Sequence, residues 1–141
     1  MKGRIIHIIN GLFILLFTYT ASSKLYELRK FRFVLNMSPL LKNFSRILSV
    51  GVPIIELCIA LLLFIPATAK AGVIAAVSLL LLFTAYIIYM ITTDPNLPCS
   101  CGGVIQQLSW KRHILFNLVF IAAGSISIWM ERKKESKANA L

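Results

Sequence analysis

The sequence predicts an all-α integral membrane protein: a four-helix bundle with an amphipathic segment between its first and second spans. Three observations carry this. Hydrophobic residues make up 58% of the 141-residue chain and charged residues only 14%, well away from a soluble domain's near-even apolar share and quarter charged. The apolar residues fall into four blocks near the length needed to cross hydrocarbon. The formal charge of +10 collects in the connections and tails between those blocks, where headgroups and topology signals account for basic residues. That placement makes membrane lipids the expected partner and leaves no expectation of nucleic-acid binding.

The first block, Ile5 to Ala21, follows Lys2 and Arg4. A basic start before an apolar stretch also fits a cleaved leader. The three spans that follow favour an uncleaved first span. Between residues 22 and 46 the character changes. Leu25, Leu28, Phe31 and Leu35 recur at helical spacing, while Lys24, Arg29, Lys30 and Arg32 fill other positions. Such a segment lies in the interface rather than across it, and Pro39 divides it. The second span runs over 47–65 and contains Pro53 and Glu56. The third runs over 71–91, with Tyr86 and Tyr89 as interfacial aromatics. The fourth runs over 110–130, with Ser109 as a candidate cap. A basic tail, 131–141, is expected to be disordered at its end. All of this reads as a single membrane domain.

Between the third and fourth spans lies Pro95-Asn96-Leu97-Pro98-Cys99-Ser100-Cys101-Gly102-Gly103. The prolines stop the preceding helix, and Gly102 and Gly103 let the backbone turn past the sulfurs. Cysteines two residues apart lie within reach of a disulfide closing a small, strained ring. A strained, exposed disulfide is more readily reduced than a structural one. Lys111, Arg112 and a following helix N-terminus favour thiolate. A fixed structural disulfide and two inert thiols remain open, because a single C-x-C is a weak motif. Zinc requires three or four ligands. With His113 as a third and no fourth His or Cys nearby, no metal is expected.

Glu56, near the middle of the second span, is a costly residue in hydrocarbon and should face the bundle interior or a cavity. Lys24 or a hydroxyl is its candidate partner, and helix bonding or proton and cation handling its candidate roles. Cys58, two residues on, reads as a small hydrophobe. His113 and Asn117, four apart, share a helix face and are candidates to line a cavity below the cysteines, against an interfacial anchoring role for His113 beside Trp110 and Lys111. Ala122, Ala123, Gly124, Ser125 and Ser127 permit close helix packing.

Taken in order, several of these stretches resemble the MauE/DoxX-like family of small four-span membrane proteins, and its MauE branch more than its DoxX branch. Ser23-Lys24-Leu25 is similar to that family's Ser-x-Lys-Leu stretch. Pro53-Ile54-Ile55-Glu56-Leu57 is similar to its Pro-x-x-Glu-hydrophobic element. Cys99-Ser100-Cys101-Gly102-Gly103, with Ser109-Trp110 and His113 through Asn117, resembles its cysteine loop and the start of span four. A Phe often found after the second cysteine is absent here, so the loop's local shape is open. The resemblance covers about residues 5–130. It implies a role in forming or handling disulfides while an exported protein matures, as the MauE branch is associated with the disulfide-rich small subunit of methylamine dehydrogenase. A cysteine pair ahead of the last span also resembles the vitamin K epoxide reductase architecture, whose motif is C-x-x-C.

The leading expectation is therefore a thiol–disulfide oxidoreductase of the bacterial inner (cytoplasmic) membrane. Its termini would be cytoplasmic, and its cysteine loop outside. Cys99 and Cys101 would be the redox pair, supported by Glu56, Gly102, Gly103, Lys111, His113 and Asn117. The partner would be an exported thiol-containing or thioredoxin-like protein, and electrons would pass to a quinone or to another thiol protein. Two alternatives stand beside it: a non-enzymatic assembly or scaffold subunit with a structural disulfide, and a small-molecule carrier built around Glu56.

Overall fold

Prolines and short polar connections cut the chain into helices long enough to cross a membrane. The computed structural model describes residues 1–93 and 110–141. Its elements are α1 (Lys2–Tyr26), α2 (Leu28–Met37), a 3-10 turn (Lys42–Phe44), α3 (Ser45–Phe64), α4 (Ala69–Thr93) and α5 (Trp110–Asn139). No strand occurs among the described residues. The fold is all-α, and α1, α3, α4 and α5 are each long and apolar enough to span a bilayer.

The helices are apolar outside as well as inside. On α3, Ile47, Ile54 and Leu61 are exposed at seven-residue spacing, while Ser45, Ser49, Pro53, Glu56 and Ala60 are buried on the opposite face. Ile8, Leu12 and Leu15 on α1, and Leu115, Leu118 and Val119 on α5, are likewise exposed. Water would penalise such a surface, whereas hydrocarbon accepts it. This is a multi-pass membrane protein.

α1 packs most extensively against α3, α4 against α5, and α3 against α4. The helices form two zones along the bundle. One is dry, built on Phe13, Ile59, Leu63, Val73 and Val77. There Phe13 meets Phe120 edge-on with ring centroids 5.4 Å apart. Close approach of α4 and α5 depends on Gly124, where an added Cβ would lie 2.4 Å from Val77 Cγ2 and 3.2 Å from Phe13 Cζ. Of the small residues of α5, Gly124 and Ser127 are buried and Ala123 is half-buried, in keeping with close packing, whereas Ala122 and Ser125 are exposed. The second zone, toward the end where α1 and α4 finish and α3 and α5 begin, is polar.

The helix ends depart from expectation in two places. α1 continues to Tyr26, so residues 22–26 belong to the first helix and not to the interfacial segment. The chain turns at Glu27, and α2 follows as a separate ten-residue helix, about 15 Å long and too short to cross. Its apolar side buries Phe31 and Leu35. Arg32 Nε donates to Ser49 Oγ at 3.4 Å, and Ser38 Oγ lies 3.7 Å from Met90 Sδ; these tie the segment to α3 and α4. At the other terminus the tail is a helix to Asn139, which corrects the expectation of disorder. Its Glu, Lys and Ala residues are good helix formers, and Lys70 Nζ bonds Glu135 Oε2 at 2.7 Å.

Candidate functional site

Three helices, α1, α3 and α5, contribute polar side chains to one chamber, and α4 walls it with Leu80 and Phe83. Lys24, in the last turn of α1, turns inward rather than toward the headgroups. Its Nζ donates to Glu56 Oε1 at 2.5 Å, with the two side chains 3% and 1% exposed. Glu56 reaches this place because Ser49, Pro53 and Glu56 fall on the inward face of α3. The carboxylate that looked costly in the sequence is therefore paired, and Lys24 is its partner.

His113 and Asn117, one turn apart on α5, are both buried and complete the chamber from the far side. For His113 this overturns an anchoring role at the surface: it faces inward, while its neighbours Lys111 and Arg112 are exposed. Asn117 Nδ2 donates to Thr84 Oγ1 at 3.2 Å, and Thr84 Oγ1 donates to the Leu80 carbonyl at 2.7 Å. Thr20 lines the same space, with its hydroxyl on the Phe17 carbonyl at 3.3 Å. The chamber measures about 30 Å³ and is walled by Thr20, Lys24, Glu56, His113 and Asn117 together with Phe17, Phe83 and Phe116. That is room for a water, and the walls offer polar partners for one. Glu56 Oε2, buried in this wall, has no hydrogen-bond partner among the described residues. The arrangement can hold a proton or a water between charged and neutral donors in a low-dielectric setting.

Sequence reasoning missed Thr84, and it reached Lys24 only as one candidate partner for Glu56. Thr84 stands out as a hydroxyl within a Leu-rich run. Lys24 reads as one more basic residue at a membrane end, and nothing local says that it folds inward. Phe83, beside the Lys24 ammonium at 5.2 Å from ring centroid to Nζ, carries no signal at all. Cys58 is exposed on the outer face of α3. Cys99, Cys101, Gly102 and Gly103, with Ser109, lie outside the described residues. The residues flanking that segment, Thr93 and Trp110, close α4 and open α5, at the chamber's end of the bundle.

The model of the family described as methylamine utilisation protein MauE matches residues 2–130. The chain belongs to the MauE family. A curated relative, the methylamine utilization protein MauE of Paracoccus denitrificans, is 32% identical over 112 residues, covering 77% of this chain and 60% of that protein. The chain thus spans about three fifths of its relative's length. No solved structure matches. The matched region includes every chamber residue and the cysteine segment, and it stops before the end of the α5 helix.

Proposed function

We propose that this MauE-family protein is a membrane thiol–disulfide redox protein that assists disulfide formation or maturation in an exported partner. The observation that carries the reading is the Cys99–Cys101 pair in the segment between α4 and α5; α5 supplies His113 and Asn117 to the chamber, and α4 supplies Thr84, which accepts from Asn117. A redox pair exchanges protons as well as electrons, and a chamber holding a carboxylate, an ammonium and an imidazole at that end of the bundle is suited to supply them. In each exchange the partner's dithiol becomes a disulfide while the Cys99–Cys101 disulfide becomes a dithiol, so two electrons and two protons move together. The relative's name ties that protein to methylamine utilization; for this chain the substrate class is a thiol-containing or thioredoxin-like protein outside the bacterial cytoplasmic membrane. Glu56 is bonded to Lys24, which suits a relay or structural role better than the binding of a transported cation.

Thiol–disulfide exchange proceeds through a mixed disulfide. Cys101 is assigned the partner-linked sulfur, because it adjoins the glycines and is nearer the basic start of α5. The partner's thiolate attacks Cys101 Sγ, and Cys99 leaves as thiolate. The partner's second thiol then completes the exchange and releases Cys101, whereas attack by Cys99 returns the link to reactants, a route that Cys99→Ser removes. Cys99→Ser should accumulate a reductant-sensitive adduct with the partner on non-reducing gels of native membranes, and Cys101→Ser should not. A structural disulfide predicts the contrary pattern: no adduct from either variant, and an equal loss of thermal stability in both.

A further inference from the structure

A second cavity opens on the other side of Lys24. It is a cleft of about 500 Å³ between α2, α3 and α4, almost wholly apolar, with Lys24, Phe31, Val52, Phe83 and Tyr86 in its walls. Ile55 and Leu82, at its rim, are exposed, so in a membrane its mouth meets hydrocarbon. The volume lies in the range that buries a small organic ligand. We infer that this cleft binds the ring of a lipid-phase quinone, with a ring carbonyl accepting a hydrogen bond from Lys24 Nζ and the tail leaving between Ile55 and Leu82.

Three features select that chemistry. First, an ammonium has three N–H donors. Lys24 Nζ makes one hydrogen bond among the described residues, to Glu56. It otherwise sits between two rings of the cleft, 5.2 Å from the Phe83 centroid and 5.9 Å from the Phe31 centroid. A buried donor with spare capacity calls for an acceptor. Secondly, that acceptor must arrive through an apolar mouth. A phospholipid keeps its polar head at the interface and would offer Lys24 only hydrocarbon. A quinone carries neutral carbonyls on a flat apolar ring. Thirdly, Phe31, Phe83 and Tyr86 provide aromatic faces and edges for such a ring to pack against. Lys24 and Phe83 also belong to the polar chamber, so the quinone carbonyl would lie across the Lys24 side chain from Glu56.

Quinone binding stands on the cleft alone; its use as an electron acceptor rests on the thiol–disulfide reading. There the dithiol of Cys99 and Cys101 would become a disulfide as the quinone becomes a quinol, two electrons and two protons passing to the ring.

The test uses the full chain in lipid nanodiscs, with a benzoquinone bearing a decyl tail and, as the comparison, decylbenzene, which lacks the carbonyls. Saturable quinone binding at least tenfold tighter than decylbenzene is expected. An azido derivative of the quinone should cross-link to α2, α3 or α4 at the cleft. Val52→Trp, filling the cleft, should abolish binding, and the double variant Lys24→Met/Glu56→Leu should erase the preference for carbonyls. Equal affinity for the two compounds would make the cleft a lipid slot and overturn the proposal, as would cross-links confined to other surfaces. The wild-type cross-link map decides the matter even if a variant fails to fold. Binding should persist in Cys99→Ser/Cys101→Ser. If it does, but the reduced wild-type protein yields no quinol, the redox reading falls and the cleft stands. If quinol forms without cross-links in the cleft, the cleft assignment falls instead.

Discussion

Glu56 and Lys24 come from positions 32 residues apart and meet where neither can reach bulk water. A buried ion pair of this kind adds little net stability, because desolvating both charges offsets their attraction. Removing one member is another matter, since it leaves the other charge buried and unpaired. Lys24→Met and Glu56→Leu should therefore each destabilise the bundle by about 3 kcal/mol or more, and the double variant should recover most of that loss. Unfolding of the four proteins in one detergent would measure the coupling; additive losses would mean that the pair does not act as a unit. The carboxylate was legible in the sequence because a charge inside an apolar run has to be accommodated somewhere. Its partner was legible only as one candidate among others. Basic residues at membrane ends usually mark topology, and it is the tertiary packing of α1 on α3 that turns Lys24 inward.

At the scale of helices, composition revealed the spans, while packing decided their ends and their contacts. The apolar blocks are unmistakable, yet α1 runs past its apolar block to Tyr26 and α5 runs on to Asn139. Polar residues of good helix propensity continue a helix that hydrocarbon has already nucleated, and hydropathy does not register them. The cleft was invisible for a related reason: its walls come from four helices, and every wall residue but Lys24 reads locally as an ordinary apolar or aromatic side chain. Gly124 shows what could be read. A small residue in a span suggests close packing, and α4 indeed approaches until Val77 Cγ2 lies 2.4 Å from the position a Cβ would take. Gly124→Ala should cost about 1–3 kcal/mol through that overlap. Adding Val77→Ala, which removes the clashing methyl, should restore part of the loss. Thermal unfolding of both variants would check this, and no relief in the double variant would put the strain elsewhere.

For the whole molecule, an even number of spans puts both termini on one side, and the remaining question is which side. Basic residues are divided almost evenly between the two ends of the bundle, so their number does not orient the chain under the positive-inside rule. Burial alters the weighting. Lys24, the basic residue directly at the far end of the first span, is committed to Glu56 inside the protein and is not available to headgroups. The near end has Lys2 and Arg4 at the start of α1, ahead of its apolar block, and the far end's next basic residues, Arg29 and Lys30, lie beyond the turn at Glu27. Flanking charge around the first helix therefore favours cytoplasmic termini, which would put the segment bearing Cys99 and Cys101 outside, where disulfides persist. Cys58 needs separate treatment because it is exposed on α3, so Cys58→Ser should serve as the background. After mild reduction of intact cells carrying that variant, a membrane-impermeant maleimide should label the protein. Prior treatment with a small impermeant thiol blocker should remove the signal, and Cys99→Ser/Cys101→Ser should not label at all. Labelling that requires opened membranes would reverse the orientation and place the pair in a reducing compartment, where an exported partner could not meet it.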